Sequence, residues 1–304
     1  MAAQLVEDSA RWAQDMGLTV LNTVIPGMTT AGGVSGLGPY LDYDAGAEAA
    51  QLTSDFVEWS FALEAVSHRG TTRSRQEDFP ILVQRLLGAL QHPQARMGAG
   101  DPLSRALTDL WWRVEELHPS AVHSWSARVR NHIVARWWEY QCRSRLSIPP
   151  FGHYVTRRRA GVAALCVLTL PRHPGLHPGP WAVPTVRRLA LAAVDVIGLD
   201  HDVALYPLSL RSGPFAANAV NCIEMREGHP WDVAVYQTVR RRDEIMVAFV
   251  KGCELLAAEN DTAVRSLSLR LQDCVSGHIA WLRRTGLPRL PVRNQRAAQA
   301  SDDW

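Results

Sequence analysis

Three consecutive arginines, Arg157, Arg158 and Arg159, stand just ahead of Gly161 in the stretch RWWEYQCRSRLSIPPFGHYVTRRRAGV, which runs from Arg136 to Val162. Guanidinium groups are fork-shaped donors, and a glycine lets backbone come close to a ligand. Together they suit a phosphate-bearing molecule. The plainer reading of the same run is a solvated basic turn above a core helix. Other reactive residues are scattered. Cys142, Cys166, Cys222, Cys253 and Cys274 form no CxxC pair, so neither a zinc site nor a disulfide framework is indicated. His173 and His177 lie in the proline- and glycine-rich segment PRHPGLHPGPWAVP without an acid or cysteine nearby, which reads as a loop.

The elements that must position these residues are helical. Leu52, Phe56, Trp59, Leu63 and Val66 recur at helical spacing within a predicted helix over 45–68. Further helices are predicted over 6–18, 79–91, 102–117 and 119–146, and then from about His153, 231–258 and 261–282. Asp101 followed by Pro102 is a cap with proline in the first turn. Pro149 and Pro150 break the chain between two helices, and the arginine run is expected at the start of the second. Tryptophans at helical spacing, Trp125, Trp137 and Trp138, read as core. The segments 23–43, 69–77 and 171–184 read as loops. Arg240 to Glu244 reads as a solvated charged face.

The chain has 304 residues, with 47% hydrophobic and 20% charged, enough for a substantial core. A formal net charge of +2 gives no footprint for nucleic acid. The N-terminus carries no basic start followed by an apolar run, and no apolar segment reaches spanning length. With scattered cysteines, this points to a reduced, cytoplasmic protein.

Glu139, Arg143, Ile148-Pro149, Tyr154, Arg158 and Gly161 together resemble a signature of the bacterial class I terpene synthases, the all-α isoprenoid cyclases. The resemblance extends in patches from about Trp12 to Arg289. It takes in the Asp101-Pro102-Leu103 start, Asn218-Ala219-Val220, and the Gly277-His278-Ile279-Ala280-Trp281 segment. It implies an all-α, single-domain class I terpenoid synthase-like helical bundle around a central cavity, over residues 1–292; the tail over 293–304 is polar and reads as disordered. It also implies that Arg158 senses a substrate diphosphate, with Gly161 and Val162 at the following helix break. Trp59, Phe61 and Trp281 would line the cavity, shielding a carbocation with their faces.

The resemblance further implies magnesium, held by an aspartate-rich set on one helix and an asparagine, serine and glutamate set on another. Those positions have changed. The first set reads Glu64, Ala65 and His68. The second, aligned on Asp202, has His201, Leu205 and Ser209 in its ligand slots, with Pro207 inside the helix expected to disturb it. The arginine-tyrosine pair expected after Trp281 reads Leu287-Pro288, with Arg289 one residue late. Magnesium needs hard oxygen ligands, which alanine, leucine and histidine do not supply.

No metal is therefore expected, unless Asp195, Asp200 and Asp202 recruit magnesium in another register. The expected function is a terpene synthase-family enzyme that cyclises or rearranges an isoprenoid or terpenoid without magnesium-dependent ionisation. Glu64 would be a general acid of raised pKa, with His68 as relay and His201 as a second candidate. Asp202 is expected at the cavity rim. The alternative is a non-catalytic terpenoid-binding or partner protein. Partners reduce to a small isoprenoid, with neither nucleic acid nor a membrane span, and with a homodimer allowed.

Overall fold

A computed structural model describes residues 2–18, 37–41, 46–69, 78–96, 100–170, 181, 183–209 and 216–284. Among them every regular element is helical, and there is no strand. The helices are α1 (Ala2–Asp15), α2 (Gly38–Leu41), α3 (Ala47–Arg69), α4 (Asp78–Gln91), α5 (Pro102–Leu117) and α6 (Pro119–Ser144). They continue as α7 (Phe151–Gly161), α8 (Ala164–Thr169), α9 (Pro184–Ser209), α10 (Ala219–Asn221), α11 (Trp231–Ala257) and α12 (Thr262–Arg284). One π-turn, Cys222–Arg226, follows α10. The predicted fold class is the observed one, and most helix ends fall within a few residues of their sequence signals. The loop segments 70–77 and 171–180, His173, His177, Leu287, Pro288, Arg289 and the tail lie outside the described residues, as does most of 23–43.

Asp101 caps α5 through Oδ1, which accepts from the Ser104 amide at 2.9 Å. α6 ends in a Schellman motif. Ser147 N donates to Cys142 O at 2.9 Å and Leu146 N to Arg143 O at 3.1 Å. Leu146, at φ 52°, takes the left-handed position usually given to glycine. Pro149 and Pro150 then start α7, so the first proline-directed break is observed. The arginines do not open α7, however: Arg158 and Arg159 lie in its last turn. Ala163, at φ 63°, forces the second break, between α7 and α8. Pro207 lies inside α9, two residues from its end, and the helix runs through it to Ser209. Its missing N–H leaves the carbonyl of Val203, one turn earlier, without that helical partner.

One hydrophobic cluster joins α3, α4, α5, α6, α8, α9, α11 and α12, with Trp59, Trp125 and Trp281 at 0–2% exposure. Phe56 stacks on Trp59 with centroids 5.7 Å apart and meets Trp125 edge-on at 5.9 Å. Trp125 is core, as expected. Trp137 and Trp138 are only partly buried. The expected solvated face of α11 is partly occupied: Arg242 Nε is 2.5 Å from Asp200 Oδ1, and Arg241 lies 4.2 Å above the Phe151 ring. The five cysteines are free thiols.

Candidate active site

α6 carries a polar stripe where an apolar one would be expected. His132, Arg136, Glu139 and Arg143 follow at spacings of four, three and four, on one helix face, and all are buried. They face α3, which presents Ser60, Phe61, Glu64 and His68 along one side. Arg136 Nη1 is 3.1 Å from Glu64 Oε1 and 2.8 Å from Glu139 Oε2. Its Nη2 donates to the Gly161 carbonyl. Arg143 Nη2 donates to Ser67 O and Oγ, both at 3.1 Å.

From α7, Arg158 Nε donates to Asp202 Oδ1 at 3.1 Å, and its Nη1 lies 3.8 Å from Glu139 Oε1. The Tyr154 hydroxyl donates to Asp202 Oδ2 at 2.7 Å, and the Ala219 amide joins it at 3.1 Å. Asp202 is therefore a buried anchor of α7 and α10, not the rim residue expected from sequence. Gly161 leaves room for the charged side chains to close in. A Cβ there would lie 2.8 Å from Glu139 Oε1 and 3.4 Å from Arg158 Nη1. Arg136, Arg143 and Arg158 are matched in number by Glu64, Glu139 and Asp202; Arg136 and Arg158 make the ion pairs, while Arg143 is held by Ser67.

Across from it, Phe61, His201, His278 and Trp281 form an aromatic wall. Phe61 is 6.0 Å from both His201 and Trp281, and His201 stacks on Trp281 at 6.4 Å with a 7° interplanar angle. Between wall and network lies a cavity of about 40 Å³. Since one water needs roughly 10–15 Å³ on that measure, it admits a few waters. Its lining includes Ser60, Phe61, Glu64, Arg136, Arg158, Gly161, Val162, His201 and His278.

The structure thus brings Glu64, His201, Arg158, Gly161, Val162 and Phe61 to one cavity, with Trp281 behind His201. Trp59, His68 and Asp202 are not among its lining residues. Trp59 is fully buried in the core, where its indole N–H donates to Leu103 O at 3.0 Å. His68 Nε2 stands 4.0 Å from Glu64 Oε1. Sequence reading passed over Ser60, His132, Arg136 and His278. The signal for two of them was the charged stripe of α6, at a spacing that elsewhere in the chain is apolar.

The expected raised pKa of Glu64 is corrected. Burial pushes the carboxyl up, but the opposing charges, Arg136 foremost, outweigh it and hold the group well below the usual carboxylate range. Burial and the neighbouring arginines push the imidazoles down: His68, His132 and His201 to about 3. His278 is lowered in the same direction, by burial first and then by His201 and Arg158. Glu64 is an ionised carboxylate and the histidines are neutral, so none of them is a proton donor at neutral pH.

The residues present do not fit a magnesium cluster. Glu64 is the one carboxylate on the described cavity wall, and Arg136 already holds it. Asp195, Asp200 and Asp202 are each held by a different arginine: Arg159 at 2.8 Å, Arg242 at 2.5 Å and Arg158 at 3.1 Å. That separation leaves no shared face for an ion among the three.

Long helices packed around a cavity that meets charged side chains on one wall and aromatic rings on the other are the architecture of class I terpenoid synthases. The family described as terpene synthase family 2, C-terminal metal binding, matches residues 55–247, and the chain belongs to that family. It is 26% identical over 244 residues to bonnadiene synthase of Allokutzneria albata, a match covering 77% of this chain and 67% of that protein. It is 21% identical over 247 residues to a 4-epi-cubebol synthase of Streptosporangium roseum, covering 80% and 73%. A cucumene synthase variant shares the fold at a TM-score of 0.75 and 20% identity, covering 94% of this chain and 95% of that one. Among the described residues no helix is long and apolar enough to cross a membrane.

Proposed function

We propose that this chain is a terpenoid cyclase-like enzyme that carries an isoprenoid or terpenoid through carbocation chemistry without a magnesium cluster. One of its relatives is described as cyclising (2E,6E)-farnesyl diphosphate, which supports an isoprenoid substrate class. The observation that carries metal independence is the Glu64–Arg136 pair at 3.1 Å, with Ala65, His68, His201, Leu205 and Ser209 in the remaining ligand slots, of which only Ser209 offers an oxygen. Initiation by a protein acid is not part of this reading, since Glu64 stays ionised. Arg158 Nη1, buried and without a hydrogen-bond partner, is the donor for the substrate's leaving oxygen. As the carbon–oxygen bond breaks, its electron pair leaves with that oxygen. The face of Phe61, backed by Trp281, and the fixed charge of Glu64 then offset the positive charge on carbon.

The cavity must widen for an isoprenoid to enter, because its present volume holds only a few waters. The helix break at Gly161–Ala163, with its left-handed alanine, is the element proposed to give way. The same small volume favours a second reading, a non-catalytic relative that binds a compact terpenoid or a partner. Both readings keep the protein in the cytoplasm, and a homodimer is compatible with either.

The test is incubation with prenyl diphosphates of several lengths and with neutral terpenoids, with magnesium or with EDTA, followed by product analysis. Product that persists in EDTA and disappears in Arg158→Gln is expected. Strict magnesium dependence overturns metal independence. Calorimetric binding of a terpenoid with no product from any substrate favours the second reading.

A further inference from the structure

Ser60 lines the cavity beside Phe61, and its Oγ lies 3.2 Å from His132 Nε2. His132 Nδ1 lies 2.9 Å from the carbonyl oxygen of Ala160. A carbonyl only accepts, so Nδ1 carries the hydrogen. In the neutral ring Nε2 then bears the lone pair, and the Ser60 hydroxyl must donate to it. A hydroxyl held by an imidazole, itself oriented through its other nitrogen, is the arrangement by which proteins move a proton at a chosen oxygen. Serine on a helix commonly satisfies itself on its own preceding turn. Here it reaches across from α3 to α6 instead. His132 is fully buried, with the Trp59 ring 6.2 Å away and Arg136 one turn further along α6. Its only position for another proton is the nitrogen that Ser60 covers, so the cavity reaches that ring through the serine oxygen.

We propose that Ser60, backed by His132, is the proton acceptor that ends the carbocation sequence in this cavity and yields an olefin. The step rests on the carbocation reading above. A C–H bond beside the cationic carbon gives its electron pair to a new carbon–carbon double bond, which cancels the charge. The proton passes to Ser60 Oγ while the serine's own proton passes to His132 Nε2. The imidazolium so formed returns a proton through Ser60 to solvent water once product leaves. Because Ser60 adjoins Phe61, deprotonation falls beside the aromatic wall where the cation is held. The chain meets no need for a strong base, since a proton next to a carbocation is acidic enough for a weakly basic imidazole. Burial and Arg136 keep that imidazole neutral across the neutral pH range.

The experiment compares full-length wild type with Ser60→Ala, Ser60→Thr and His132→Gln on the isoprenoid panel, measuring olefin-to-alcohol product ratios and rates beside thermal stability. Ser60→Ala removes one oxygen and keeps the fold testable even if His132→Gln does not fold. The expected result is a drop in olefin formation of about 100-fold in Ser60→Ala, the lower end for a positioned proton-transfer group. Water-captured alcohols should rise, and Ser60→Thr should restore the olefin. An unchanged olefin profile and rate in Ser60→Ala overturns the relay and leaves the enzyme reading standing. Absence of product from wild type overturns both.

Discussion

Arg136 Nη1 stands 3.1 Å from Glu64 Oε1, and this ion pair joins α3 to α6 at the cavity wall. In the resembled enzymes the matching position on this helix belongs to magnesium. Here it belongs to a guanidinium carried by the neighbouring helix. A carboxylate so held is a fixed charge, neither a free metal ligand nor an acid.

The Arg158–Asp202 pair gives the largest expected stability effect. Asp202→Asn leaves Arg158 short of its buried counter-charge and loosens α7 from α10. Removing one member of a buried pair costs about 3–5 kcal/mol. Arg240→Ala, whose partner Glu244 is exposed, should change stability by about 0.5 kcal/mol or less. Urea unfolding of both variants measures the contrast, and equal effects would show that Asp202 does not anchor the fold.

Acid should unfold this protein earlier than its carboxylates suggest. His132 and His201 have folded pKa values near 3, below the ordinary imidazole value of 6.5. Below that ordinary value the unfolded chain binds protons that the folded chain refuses. Stability is therefore present above about pH 6.5 and is lost as pH falls toward 3, by up to ~1.4 kcal/mol per pH unit for each ring. Glu64, lowered in the folded state, adds loss of the same sign once pH drops through the carboxylate range. His68, with 26% of its side chain exposed, contributes less. Denaturation midpoints from pH 8 to 4 test this, and His201→Phe should flatten the slope.

Two glycines of α7 should respond oppositely to alanine. Gly161→Ala puts a methyl against Glu139 and Arg158 and should cost about 1–3 kcal/mol. Gly152→Ala meets nothing within 4 Å and, in the first turn of α7, should stabilise by up to ~0.5 kcal/mol through helix propensity. Thermal melts separate the two, and a stabilising Gly161→Ala would mean the charged cluster is looser than described.

Trp59 and Trp281 should separate packing from chemistry. Trp59→Phe loses the bond to Leu103 O, about 1 kcal/mol, and should leave any product profile as it is. Trp281→Phe changes the ring behind His201 and should alter product ratios. A product shift from Trp59→Phe alone would reverse the assignment.

The helices were legible in the sequence because local signals specify them. Apolar residues at helical spacing, Asp101-Pro102 and Pro149-Pro150 set boundaries that the structure keeps. The lost ligands at Ala65, His68, His201, Leu205 and Ser209 were equally readable, since an oxygen ligand is a property of residue type. Less legible was the position of the arginine run at the end of α7, because Pro150 starts a helix several residues before the first arginine.

The sequence by itself determined an all-helical chain of the terpene synthase family with an incomplete ligand set. Side-chain identity and spacing act locally, and they suffice for that. Only the tertiary structure decided that Glu64 is ionised, that Asp202 is an anchor, that Trp59 is core, and that Ser60 meets His132. Each of these depends on which helix faces which across the bundle. Burial and a charge a few ångströms away on another helix set a pKa or a hydrogen bond, and neither is written in the order of residues along one helix.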